Sequence, residues 1–220
     1  MNTINISATC SIANKFLAEL RDCNYQTNRA LFRNNIVRIG EIMAYEISKT
    51  LQYSEKTIQT PLAKAKASTA DNEIVLGTIF RAGLPFHQGF LDVFDNAGNA
   101  FVSAYRYYKD KECKHVGIKI EYIATPDLTD KTLIIADPML ATGGSLELGY
   151  HAFSTKGIPA TVHLCSVIAA QKGVDYIKKA FADYDNVTLW CAAIDPDLNE
   201  HCYIVPGLGD AGDLAYGDKL

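Results

Sequence analysis

Thr132-Leu-Ile-Ile-Ala136-Asp137-Pro138-Met139-Leu140-Ala141-Thr142-Gly143-Gly144-Ser145 is the stretch that decides the fold. An unbroken apolar run of strand length ends at a carboxylate. A loop of Thr, Gly and Ser then opens a helix-like segment, Ser145 to Lys156, closed by Gly157 and Pro159. Continuous rather than alternating apolarity predicts a strand covered on both faces. Glycines let the backbone approach a ligand and take positive φ. A helix start offers unpaired N–H groups and the positive end of its dipole, and the Thr142 and Ser145 hydroxyls add donors; together these would hold a phosphate. Asp137 presents an acceptor-only group suited to two vicinal hydroxyls of a ribose. Phosphate and diol at this separation describe a cradle for ribose 5-phosphate. The plainer alternative is that Asp137-Pro138 is a turn and Gly143-Gly144 a simple helix entry.

The same pattern recurs on either side of this stretch. Glu73-Ile-Val-Leu-Gly-Thr-Ile-Phe80 runs into Arg81-Ala82-Gly83-Leu84, and further apolar runs cover Thr161 to Ile168 and Val187 to Ala193. Val174, Ile177 and Phe181 share one face of a helix over Val174 to Ala182. Phe32, Ile36, Ile39, Met43, Ile47 and Leu51 alternate spacings of three and four, which predicts a long amphipathic packing helix after Thr27. A polar stretch follows at Ala63 to Asn72. Strand alternating with helix predicts an α/β fold with a parallel central sheet flanked by helices. Ligands in such sheets bind beyond the carboxyl ends of the strands, so the loops at Arg81 and Asp137 are the places to look. Lys109 to Ile123 breaks the rhythm, with apolar and charged residues alternating from Val116, and reads as a projecting arm or hairpin and a subunit contact. With no repeat or long linker, residues 1–220 are expected to form one domain.

Of the 220 residues, 48% are hydrophobic and 21% charged, an ordinary globular balance that allows a substantial core. No apolar run approaches the ~20 residues that span a bilayer. Met1-Asn-Thr-Ile-Asn-Ile-Ser7 lacks the basic start and apolar middle of a secretory signal. A cytoplasmic protein without membrane association is therefore expected. The formal net charge of -4 gives no global basic field for nucleic acid, and no basic stripe is interleaved with aromatics. The six cysteines are scattered without metal-ligand spacing and read as reduced thiols, with Cys165 and Cys191 in the core. The Walker pattern is absent, and Gly207-Leu-Gly209-Asp-Ala-Gly212, a literal Gly-x-Gly-x-x-Gly, has too little chain after it to complete a βαβ unit. His87 and His201 each lack a neighbouring nucleophile and are expected at the surface or in supporting positions.

Asp137 to Ser145 resembles the phosphoribosyl-pyrophosphate motif of the type I phosphoribosyltransferases. Arg81-Ala-Gly-Leu84 with Tyr105-Arg106 downstream, and Asn199-Glu-His-Cys-Tyr-Ile-Val-Pro-Gly-Leu-Gly-Asp-Ala-Gly-Asp213, narrow the likeness to the uracil phosphoribosyltransferases, and Arg21-Asp22 through Tyr45-Glu46 is similar to their early helical region. Ala136 stands before Asp137 where many type I relatives carry a second acid, a loss the uracil enzymes share.

The resemblance implies a type I phosphoribosyltransferase fold with a helical N-terminal region (1–60), a β-arm (105–125) and a C-terminal base-binding hood (195–220). It implies transfer of the phosphoribosyl group of 5-phospho-α-D-ribose 1-diphosphate (PRPP) to uracil, giving UMP and diphosphate, in a homo-oligomer, dimer or tetramer. Carried over by motif, Asp137 would hold the ribose hydroxyls. Pro138, Met139, Leu140, Ala141, Thr142, Gly143, Gly144 and Ser145 would line the PRPP site, with the 5-phosphate on Ala141 to Ser145. Arg81 and Arg106 would grip the diphosphate, where a planar, always-charged donor suits phosphate oxygens. Main-chain groups of Ile204, Gly209 and Ala211 would read the uracil edge, with Asp210 beside both uracil and PRPP. Magnesium (Mg2+) would bind through substrate oxygens and water rather than protein ligands.

Overall fold

A computed structural model of the chain describes the backbone of residues 1–108 and 116–219, and the side chains of these apart from 104–108 and 116–120. A short strand β1 (Asn2–Asn5) leads to helix α1 (Ile12–Arg21), opened by a Ser11 capping box, and a single turn α2 (Cys23–Gln26). Asn28 caps α3 (Arg29–Ser48) by accepting from the amides of Ala30 and Leu31. The helix buries Phe32, Ile36, Ile39, Met43 and Ile47, the stripe that the spacing predicts, and ends before Leu51. Strands β2 (Tyr53–Gln59) and β3 (Lys64–Ala70) then pair with each other in an antiparallel hairpin. Sequence reading missed that hairpin, as it missed β1, so residues 1–60 are not helical throughout. Its side chains are largely exposed, and with no buried face there is no hydrophobic alternation for a sequence to display.

Strand β4 (Ile74–Phe80) feeds α4 (Gly83–Leu91), followed by β5 (Gly98–Tyr108) and β6 (Val116–Ala124). Next come β7 (Thr132–Ala136), the two-residue β8 (Met139–Leu140), α5 (Gly144–Ser154), β9 (Thr161–Ala170), α6 (Gln171–Ala180) and β10 (Val187–Asp195). The chain closes with β11 (Asp197–Leu198), its antiparallel partner β12 (Ile204–Val205), and α7 (Ala211–Tyr216).

The main sheet has the order β1-β10-β9-β7-β4-β5-β6, with β8 beside β9. All its pairings are parallel except β5 with β6. Strand β5 runs parallel to β4 up to Ser103, shifts register at Ser103/Ala104, and continues against β6 as the arm, whose tip at 109–115 lies outside the described residues. The continuous apolar runs have the expected cause. In β7, Ile134 and Ala136 enter a core with α1, α3 and α4, while Leu133 and Ile135 enter a second core with α5 and α6. Leu133, Ile134 and Ile135, fully buried, each contribute roughly 1.5–3 kcal/mol. Successive strand residues point to opposite faces, so burial on both faces leaves no polar position.

Candidate functional site

Strand β7 fixes the start of the cradle. Asp137 continues past its end, donating its N–H to the Cys165 carbonyl at 3.1 Å while its own carbonyl accepts from Ser166 Oγ at 2.7 Å. Its carboxylate Oδ1 accepts from the Met139 amide at 3.4 Å. The Pro138 carbonyl accepts from the Val167 and Ile168 amides, and Met139–Leu140 pair with β9, so 137–140 are stitched to the neighbouring strand by main chain. Gly143 then takes φ +93, the left-handed region open to glycine. It is the N-cap of α5 and carries no side chain to occupy the helix start. The first-turn amides are thus left without a side-chain acceptor, the arrangement that suits an anion. Thr142 and Ser145 are half-buried, and their hydroxyls bond no other described residue. A Cβ on Gly143 would lie 2.5 Å from the Tyr176 ring, which stands over the loop with its hydroxyl donated to Glu147 at 2.6 Å.

The second loop leaves β4 next door. Thr78 is in register with Ala136, so Arg81 and Asp137 emerge from adjacent strands on the same side of the sheet. Thr78 Oγ1 donates to the Ala136 carbonyl at 3.0 Å. A Cβ on Gly83 would sit 2.1 Å from that hydroxyl, which is why α4 can begin hard against the strand ends. Arg81 reaches across to the C-terminal segment, with Nη2 at 2.8 Å from Asp213 and Nη1 donating to the Gly217 carbonyl at 3.3 Å.

The C-terminal hood packs against the body of the protein. Ile204 and Ala211 are buried in the core shared by β7 and β9, with Leu208 between them. Asp210 caps α7, accepting from the Gly212 and Asp213 amides, and meets Lys219 at 3.3 Å. Burial works to raise the Asp210 carboxyl, but those amides and Lys219 hold it below its ordinary value.

The hood's anchors come from the other end of the chain. Arg21 forms a fork with Asp195 (2.8 and 2.6 Å), Gln26 donates to the Leu208 carbonyl, and Arg33 donates to the Ala215 carbonyl. Burial alone would raise Asp195, yet Arg21 and the Gly207 amide leave it lowered. Sequence reading missed Arg21 as a site residue, along with Gln26, Arg33, Asp195 and Tyr176. The one available signal was Arg21-Asp22 within the segment resembling the family's early helices.

Residues 8–218 match a family model described as uracil phosphoribosyltransferase. The chain belongs to that family. It is 57% identical over 220 residues to a uracil phosphoribosyltransferase of Porphyromonas gingivalis, covering all of both chains. It is 38% identical over 209 residues to one of Thermococcus gammatolerans, covering 94% of this chain and 89% of that protein. A solved protein of Aquifex aeolicus superimposes with a TM-score of 0.84 at 28% identity, covering 98% of each chain. The architecture is a mixed, mostly parallel central sheet flanked by helices, as the sequence predicts.

For this family member the structure brings together Arg81, 137–145 and the hood. Arg106 lies in β5 opposite Ile118, and its side chain is outside the described residues, as is that of Tyr105. Of the two histidines, His201 is exposed, but His87 is buried on α4 against the Phe101 ring, and burial lowers its pKa. Cys165 and Cys191 are buried free thiols, as read; burial pushes Cys165 well up and Cys191 up to about 12. No helix among the described residues is long and apolar enough to cross a membrane.

Proposed function

We propose that this protein transfers the phosphoribosyl group of PRPP to uracil, releasing diphosphate and forming UMP. The observation that carries this reading is the convergence of three segments distant in sequence: the Arg81 loop, the 137–145 loop and the hood, joined by the Arg81–Asp213 ion pair. The ribose C1–diphosphate oxygen bond breaks with positive charge developing at C1. Uracil N1 attacks from the opposite face, and its proton goes to solvent.

No side chain acts as a covalent nucleophile. The amides of 141–145 with the Thr142 and Ser145 hydroxyls hold the 5-phosphate, the main chain of 138–140 shapes the wall, and Asp137 accepts from the ribose hydroxyls. Arg81 and Arg106 grip the diphosphate, and Asp210 stands beside PRPP. Main-chain groups of Ile204, Gly209 and Ala211 read the base edge, which fixed donors and acceptors do without loss of side-chain entropy. Holding both substrates and stabilising the leaving charge each supply several kcal/mol in comparable sites.

Magnesium prefers oxygen ligands and keeps several waters, commonly binding with one or two carboxylates and substrate phosphates. The donors here are a half-buried Asp137 and main-chain oxygens, with no group of three His, Cys, Asp or Glu side chains among the described residues. That set fits an ion carried on diphosphate oxygens and water without a direct protein ligand. When bound, it neutralises charge on the diphosphate.

Purified protein with Mg2+ and PRPP is expected to convert uracil to UMP and to leave hypoxanthine and orotate untouched; equal or better use of another base overturns the reading. We further infer one domain and a cytoplasmic homo-oligomer, dimer or tetramer. Exposed Tyr53, Ile58 and Leu62 on the β2–β3 hairpin support self-association, and a monomeric mass in solution would refute it.

A further inference from the structure

A loop that reads a base with main-chain groups works only if its main chain is held still. In this chain the holding is done by side chains with no role so far. Arg21, the last residue of α1, and Asp195, the last of β10, form a fork of 2.8 and 2.6 Å, with Asp195 only 6% exposed. Arg21 Nη1 also donates to the Gly207 carbonyl at 2.9 Å, and the Gly207 N–H donates to Asp195 Oδ2 at 2.9 Å. Gln26 Nε2 bridges the Leu208 carbonyl at 2.8 Å and the Leu20 carbonyl at 2.7 Å. Both polar groups of Gly207 and the carbonyl of Leu208 are therefore tied to the N-terminal helices and to β10. These two residues lie between Ile204 and Gly209. As a source of stability the arrangement is a poor choice, because desolvating a charged pair offsets much of its attraction and apolar residues of like volume serve as well or better. What a fork does that an apolar pair cannot is fix a carbonyl and an amide of one residue together.

We propose that Arg21, Asp195 and Gln26 are positioning residues for the pyrimidine base, setting the main chain of Gly207–Leu208 so that Ile204, Gly209 and Ala211 present their groups in register with its edge. This rests on the uracil reading above and adds where specificity is anchored.

The test compares Arg21→Lys, which keeps the charge and loses the fork, Asp195→Asn, and the double variant Arg21→Met/Asp195→Leu, which replaces the pair with apolar side chains. KM for uracil should rise roughly 10- to 100-fold in all three. The KM for PRPP and the kcat at saturating uracil should stay within about threefold. The double variant should recover the thermal midpoint lost by the single ones without recovering uracil KM, a split that a merely structural role does not produce. Hydrogen exchange over residues 204–212 of the substrate-free variants should be faster than in the wild type. Wild-type uracil KM in the double variant, equal rises in both KM values, or unchanged exchange would each overturn the proposal. If the wild type instead uses another base, the uracil reading fails, and the positioning role is judged by that base's KM and by the exchange data.

Discussion

The cradle and the hood are built in opposite ways. From Thr132 to Ser154 the cradle is nearly self-contained: one strand, one glycine at positive φ and one helix start, tied to β9 by main-chain bonds. The hood has no such local completeness. Its polar anchors, Arg21 to Asp195, Arg21 to Gly207, Gln26 to Leu208 and Arg33 to Ala215, join residues 174, 186, 182 and 182 positions apart. In the proposed reaction the donor is held through generic phosphate and diol chemistry, and a self-contained segment can serve it. The acceptor base varies, and the part that reads it is hung on contacts that can change without touching the cradle.

If the cradle is self-contained, breaking it should remove chemistry and leave the hood standing. Asp137→Asn keeps the shape and the Met139 contact but removes the charge at the ribose. It is expected to cost roughly 100- to 1000-fold in kcat/KM with little change in thermal midpoint. Steady-state kinetics alongside thermal unfolding checks both halves, and wild-type turnover would remove Asp137 from the ribose.

Acid should act on the core beneath both regions. Trp190 Nε1 donates to His163 Nδ1 at 3.0 Å, which puts the imidazole proton on Nε2, a buried atom with no partner among the described residues. Burial lowers the pKa from 6.5 to about 4. Since the folded state binds this proton more weakly than the unfolded chain, stability is full above pH 6.5 and falls between 6.5 and 4, by about 3 kcal/mol in all. Buried His87 shifts in the same direction. The lowered Asp195 contributes stability that is lost only further down, as pH falls through its folded value below 3.8. The core should therefore loosen before the hood's clamp. His163→Gln keeps an acceptor for Trp190 and should flatten its share of the slope between pH 6.5 and 4.5; an unchanged slope would show that His163 is not its source.

Those two regions also differ in what a sequence can display. The cradle was legible because strand, loop and helix start are encoded in consecutive residues, and burial on both faces leaves an unbroken apolar run. The hood's contact residues were reached only through family likeness, since nothing local in Ile204-Val-Pro-Gly-Leu-Gly distinguishes a base-reading loop from a turn. Its clamp was not legible at all. Arg21 and Asp195 are ordinary charged residues at the ends of a helix and a strand, and only the folded chain puts them 2.6 Å apart. Strands β2 and β3 escaped notice because strands without a buried face carry no alternation, and β1 because its four residues are too few to show a period.

At Gly143 the cradle can be strained directly. Gly143→Ala must place a Cβ against Tyr176 and hold alanine at φ +93. A loss of about 1–3 kcal/mol in stability, together with weaker PRPP binding and an unaltered uracil KM, is expected from thermal unfolding and kinetics.

The smallest effect gives the sharpest test of independence. Tyr176 covers Gly143 with its ring and holds Glu147 of α5 with its hydroxyl at 2.6 Å, so Tyr176→Phe keeps the cover and removes only the bond. That bond is exposed, and its loss should be worth about 1 kcal/mol at most, a rise in PRPP KM of no more than roughly fivefold. Among the described residues Tyr176 shares no bond with the Arg21–Asp195 clamp, and α6 reaches it through β9 and β11, so uracil KM should not move. Equal rises in both would mean that α6 transmits the cradle's geometry to the hood through β9 and β10, and the two regions would have to be treated as one mechanical unit.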